Sequence, residues 1–198
     1  MKIITFASEK GGVGKSTLSI HMATYLNSLG KKVVIMDCDP QESIYQYKEL
    51  IKDSNIDIEK TDQEKEKFKE QISKLEKYDI IFFDTAGKLN SYTNKVAVEV
   101  CDILITPTSL SLMDINSTKK YYNLIKSKYP DKYHIVVMNK TKAVKELREY
   151  RDLMRENNIK CFATSIPDKR SFVRKIDLKN RIDEDSFDAL IMEVENLL

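Results

Sequence analysis

The chain has 198 residues, with 33 Lys and Arg against 31 Asp and Glu and a formal net charge of +2. Hydrophobic residues make up 41% while Gly and Pro number only 5 and 4, which excludes disordered, collagen-like and low-complexity chains; the near balance of charge means that any basic surface for nucleic acid must be local. The three cysteines, Cys38, Cys101 and Cys161, are odd in number and form no C-x-x-C pair, which argues for a reducing compartment and against a disulfide framework, a zinc site or an iron–sulfur carrier. No apolar run approaches the roughly 18 to 20 residues that span a bilayer, and the opening "MKIITFAS" reads as a strand that leaves no room for a signal peptide.

In chain order, "KIITFA" (2–7), "KVVIMD" (32–37), "DIIFFD" (79–84), "DILITP" (102–107) and "YHIVVMN" (133–139) are nearly continuous apolar runs, the pattern of strands buried on both faces of a parallel sheet. A last short strand is expected near 160–164. Helical patterns lie between them, at 16–29, about 41–52, 62–77, 91–100, 114–128 and 143–157, with a terminal helix at about 184–197. This alternation predicts an α/β fold, a doubly wound, mostly parallel sheet with helices on both faces. With no linker or internal repeat, residues 1–198 are expected to form a single domain. The polar stretch 59–77 reads as a solvated helix whose one apolar seam is Phe68, Ile72 and Leu75.

The chemistry begins at "ASEKGGVGKST" (7–17), which follows a strand and opens a helix, the setting a phosphate-binding loop requires. Gly11, Gly12 and Gly14 let the backbone turn its N–H groups toward phosphate oxygens, and the helix starting near Ser16 adds its positive end. Lys15 is placed for the β- and γ-phosphates, Ser16 for Mg²⁺, and Thr17 for the α-phosphate. The ordinary pattern G-x-x-x-x-G-K-[ST] asks for glycine at position 9, where this chain has Glu9. Downstream, "VVIMDCDPQ" delivers Asp37 and Asp39 to the end of the second strand, beside the loop if strands one and two flank the site. "YDIIFFDTAG" ends in Asp84, a carboxylate suited to holding magnesium through water, followed by a Thr85-Ala86-Gly87 loop.

Lys10-Gly11-Gly12-Val13-Gly14-Lys15-Ser16-Thr17 matches the deviant Walker A motif K-G-G-x-x-K-[ST], and D-C-D-P-Q (37–41) matches the accompanying switch I signature. With "TPTSLSLMDINS" (106–117), these motifs resemble the ParA/MinD family of dimerising ATPases over nearly the whole chain, and the small plasmid-type partition ATPases in particular. The resemblance implies a homodimer with ATP sandwiched at its interface. Lys10 would act in trans on the partner's phosphates, as an arginine finger in lysine form. Asp39 would orient the attacking water, Asp37 would belong to the magnesium shell with Ser16 and Asp84, and Thr85 to Gly87 would sense the γ-phosphate. Gly11 to Thr17, including Val13, would cradle the phosphates, while Asn139, Pro167 and Asp168 lie where relatives contact adenine.

The same resemblance implies non-specific DNA binding in the ATP state, a ParB-like adaptor that stimulates hydrolysis, and a cytoplasmic, nucleoid-associated protein that segregates plasmid or chromosomal DNA. Lys169, Arg170, Arg174, Lys175, Lys179 and Arg181 form a basic segment able to hold phosphate backbone without reading bases. The acidic end "DEDSFDALIMEVENLL" speaks against a membrane-binding helix of the MinD kind. Two alternatives remain open: a positioning ATPase for a protein cargo, and a metabolic enzyme of the dethiobiotin-synthetase-like type.

Overall fold

Seven strands form one sheet in the order β3-β2-β4-β1-β5-β6-β7. The computed structural model describes residues 1–48, 56–87, 91–142, 144–168 and 185–198. The strands are β1 (Lys2–Phe6), β2 (Val33–Asp37), β3 (Asp57–Lys60), β4 (Ile80–Asp84), β5 (Ile103–Thr108), β6 (Tyr133–Thr141) and β7 (Cys161–Pro167). Every pairing between described strands is parallel, so the doubly wound α/β expectation holds. The helices are α1 (Lys15–Ser28), α2 (Ser43–Tyr47), α3 (Lys65–Ser73), α4 (Tyr92–Val100), α5 (Leu112–Lys128), α6 (Val144–Glu156) and α7 (Asp185–Glu195), and a 3-10 turn at Lys74–Lys77 extends α3.

Side-chain alternation sorts the strands into two apolar layers. Ile4, Phe6, Ile35, Phe82, Ile105 and Val137 pack under α1 and α7, through Leu18, Met22, Leu26, Phe187, Leu190 and Val194. Their neighbours Ile3, Val34, Met36, Ile81, Phe83 and Leu104 face α3, α4 and α5, through Phe68, Val98, Tyr121 and Ile125. A smaller cluster joins Val136 and Met138 to Tyr122 and Met154. Phe68 and Leu75 are buried and Ile72 packs beside them, as the polar stretch led us to expect.

The sequence reading missed β3. Only Ile58 of its four residues is buried, because an edge strand this short needs one apolar side chain, and its charged neighbours suit an exposed edge. The helix expected at 41–52 is described only as α2 at Ser43–Tyr47, its remainder lying partly outside the described residues. Strand order decides which carboxylate adjoins the loop. The first two strands are not neighbours: β4 lies between them, and Phe6, Asp84 and Asp37 stand in register across the three. Asp84 is therefore the carboxylate at the end of the strand adjoining β1, and Asp37 lies one strand further out. With β2 to β4 on one side of β1 and β5 to β7 on the other, the loop after β1 opens at the carboxyl edge where the sheet's direction of winding changes, the usual place for a ligand crevice.

Candidate nucleotide site

The loop between β1 and α1 is held open by its own backbone. Gly12 and Gly14 have φ of 76° and 98°, values costly for a residue with a β-carbon. Gly14 is also the N-cap of α1, which has no side-chain cap and no acidic residue in its first turn, leaving the positive helix end unneutralised for an anion. The other end of α1 closes on Gly30 (φ 84°), with Gly30 N–H donating to the Asn27 carbonyl and Lys31 N–H to that of Leu26, a Schellman stop.

A cavity of about 370 Å³ sits over this loop. Gly11, Gly12, Gly14, Lys15, Ser16 and Thr17 line it, with Asp39, Thr85 and Gly87. Lys15 is buried, its Nζ 3.4 Å from both Ser8 Oγ and the Lys10 carbonyl. Burial lowers its pKa, opposed by the negative charges of Asp84 and Asp39. Val13 is buried and contributes backbone rather than side chain.

The Ser16 hydroxyl donates to Asp84 Oδ2 at 2.6 Å. Asp84 Oδ1 is buried without a hydrogen-bond partner among the described residues. Burial pushes the Asp84 carboxyl up to about 7, against the Ser16 hydrogen bond and the Lys15 charge, with Asp37 and Asp39 adding to the rise. A hydroxyl, a carboxylate with one free oxygen and adjacent space for phosphates and water match what magnesium takes from a protein. These residues fit the metal.

Asp37, expected in the magnesium shell, accepts backbone hydrogen bonds from the turn that follows β2. Its Oδ1 accepts from Asp39 N–H at 3.0 Å, and its Oδ2 accepts from the N–H groups of Ile44 and Tyr45 at 2.9 and 3.0 Å. Both oxygens thus organise the turn into α2. Its pKa is raised by burial despite these bonds. Asp39, half-buried, reaches the cavity while its Oδ1 accepts from Gln41 N–H at 2.9 Å.

Asn139, Lys140, Pro167 and Asp168 also line the cavity, with Leu18, Ile166 and Phe187 as apolar lining. The Asn139 side chain donates to the Val13 carbonyl at 2.8 Å, and the Lys140 ammonium donates to that of Gly12 at 2.7 Å. Asp168 donates its N–H to the Thr141 carbonyl and pairs its carboxylate with Lys142 at 3.5 Å. Apolar walls with a few fixed polar groups suit a planar base.

Lys10 is not among the residues lining the cavity. Its ammonium forms an ion pair with Asp114 of the same chain, in the first turn of α5, where Ser109 also donates to the carboxylate. Its side chain remains 42% exposed.

Compared with known families, residues 4–182 match the CobQ/CobB/MinD/ParA nucleotide binding domain. The chain belongs to this family. Among curated relatives, this ParA/MinD-type domain is 31% identical over 107 residues to the sporulation initiation inhibitor protein Soj of Bacillus subtilis, covering 54% of the chain and 39% of that protein. It is 55% identical over 38 residues to the chromosome-partitioning ATPase Soj of Thermus thermophilus, covering 19% of the chain and 15% of that protein. The match thus spans well under two thirds of these relatives' length. A Borrelia burgdorferi B31 structure assigned to plasmid partition, bound to AMPPNP, superposes with a TM-score of 0.76 at 25% identity, covering 99% of this chain and 96% of that one. The MinC:MinD cell division complex of Aquifex aeolicus gives 0.78 at 18% identity, covering 99% and 96%, a likeness of fold.

For this ParA/MinD-type domain the sequence reading anticipated most of the cavity lining. It missed Phe187, which in a terminal apolar helix looks like any core aromatic. It also missed Leu18, Ile166 and Lys140 of the lining and, outside it, Asp114, the partner of Lys10. The basic residues Lys169, Arg170, Arg174, Lys175, Lys179 and Arg181 lie outside the described residues. Among the described residues no helix is long and apolar enough to cross a membrane.

Proposed function

We propose that this chain is a magnesium-dependent ATPase that pairs with a second copy around two ATP molecules and binds non-specific DNA in that state. A ParB-like adaptor then stimulates hydrolysis, and the cycle segregates plasmid or chromosomal DNA. The observation that carries the reading is the Ser16–Asp84 pair, with its free buried oxygen, beneath a glycine loop whose rim holds Lys10. That the Borrelia structure of the same fold is bound to AMPPNP supports an adenine nucleotide as the ligand.

The residues divide the work as follows. Loop N–H groups and Lys15 hold the β- and γ-phosphates, and the end formed by Asn139, Pro167 and Asp168 holds adenine. Ser16 and Asp84 would hold magnesium, which would supply charge neutralisation at the phosphate oxygens. Asp39, at the cavity and beside Lys15, orients the water for in-line attack. Asp37 keeps Asp39 in place by ordering the turn it belongs to. Lys10 leaves Asp114 and meets the partner's phosphates, where its charge opposes the negative charge that develops in the transition state.

The test is light scattering with ATP·Mg²⁺ or ADP, together with ATPase rates with and without non-specific DNA. The wild type should dimerise and bind DNA with ATP alone. Lys10→Ala should lose both dimerisation and hydrolysis, and Asp39→Ala should accumulate as a DNA-bound dimer. A wild type that stays monomeric with ATP, ignores DNA and turns over a small metabolite would make the chain a metabolic enzyme instead.

A further inference from the structure

We propose that Lys140 is a positioning residue of the phosphate loop, acting from the end of β6 together with Asn139. A phosphate cradle works only if successive N–H groups point inward, so the carbonyls must point outward and find partners there. Here those partners are side chains. The Lys140 ammonium donates to the Gly12 carbonyl at 2.7 Å and the Asn139 amide donates to the Val13 carbonyl at 2.8 Å. Each peptide unit is planar and trans, so its C=O and the next residue's N–H point in opposite directions. Holding the Gly12 carbonyl outward therefore turns the Val13 N–H inward, and holding the Val13 carbonyl does the same for Gly14 N–H.

A second observation makes this a built feature. Lys140 has φ of 57°, one of three non-glycine residues at positive φ among those described. Its own N–H donates to Asn139 Oδ1 at 2.9 Å, so one amide side chain grips the loop with its nitrogen and Lys140 with its oxygen. Left-handed backbone at a lysine is unfavourable and persists where the surroundings enforce it. In this case it brings a long cationic side chain back over the loop, and Lys140 lines the nucleotide cavity as it does so.

The inference rests on the reading that this cavity holds a nucleotide. The experiment compares wild type, Lys140→Met, which keeps the stem and loses the donor, and Lys140→Arg, which restores a cationic donor. Binding of fluorescent ATP and ADP is measured alongside hydrogen exchange of loop amides 11–15 in nucleotide-free protein. Lys140→Met should weaken ATP and ADP alike by about tenfold, as expected for a lost charged hydrogen bond, and speed apo-loop exchange. Lys140→Arg should recover most of both. Unchanged apo-loop exchange in Lys140→Met would overturn the proposal, as would nucleotide affinity equal to wild type. A wild type that binds neither nucleotide would sink the reading of the cavity, while the exchange comparison would still decide the role of Lys140.

Discussion

Replacing Gly14 by alanine probes the joint between the phosphate loop and the base end of the cavity. A β-carbon at Gly14 would lie 2.2 Å from Asn139 Nδ2, on a backbone with φ of 98°. The left-handed backbone alone costs a substituted residue about 1–2 kcal/mol. Moving Asn139 aside breaks its bond to the Val13 carbonyl and leaves buried polar groups unpaired, about 1–3 kcal/mol more. The sum, about 2–5 kcal/mol, corresponds to a fall of roughly 5–15 °C in melting temperature for a domain of this size. Calorimetry of Gly14→Ala, Asn139→Ala and the double variant checks the reasoning as a cycle. Asn139→Ala removes the obstacle, so the double variant should lose about 1–3 kcal/mol less than the two single losses added. Melting of Gly14→Ala within about 2 °C of wild type, outside the fall expected from these costs, or strict additivity across the cycle, would refute the clash.

Two further outcomes follow from buried groups. Burial, with Lys126 nearby, lowers the His134 pKa to about 3. The folded state keeps the ring neutral while the unfolded chain protonates it below about 6.5, so its contribution is complete above that pH and lost as pH falls toward 3. At pH 5 the loss relative to pH 8 is about 2 kcal/mol, measurable as a lower urea midpoint; an equal loss in His134→Gln would rule the ring out as its source. Asp37→Asn places an amide NH₂ against backbone donors that the carboxylate now accepts. It should cost about 2–3 kcal/mol of stability with an unchanged magnesium requirement. A normal melting temperature with a greatly raised magnesium requirement would put Asp37 in the metal shell instead.

What the sequence disclosed follows its physics. Strands buried on both faces announce themselves as unbroken apolar runs, so β1, β2, β4, β5 and β6 were legible nearly to the residue. The edge strand β3 buries one side chain and has no such signal. Strand order was not legible either, since no local pattern says that β4 inserts between β1 and β2. For that reason the sequence could put both Asp37 and Asp84 beside the metal but could not say that Asp84 ends the strand next to β1. The glycine loop is legible because backbone geometry demands those residues. Lys140 is not, because a lysine at positive φ is visible only in the fold.

The ion pair between Lys10 and Asp114 bears on how the proposed switch can move. Taken alone, an acid of its own chain that binds Lys10 competes with a role in trans. The energies point the other way. The Lys10 side chain is 42% exposed and that of Asp114 10%, so water screens the lysine end of the pair and holds its worth to about 1 kcal/mol. A triphosphate offers several negative charges, and closure by a second copy would remove the screening solvent, so the same ammonium gains more there than it leaves behind. Asp114 tolerates the exchange as well. Its backbone N–H donates to Ser111 Oγ, its carboxylate accepts from Ser109, and the amino end of α5 favours a negative charge in its first turn. The contact is thus weak enough to be surrendered if a second copy brings phosphates within reach of Lys10, as the proposed function requires.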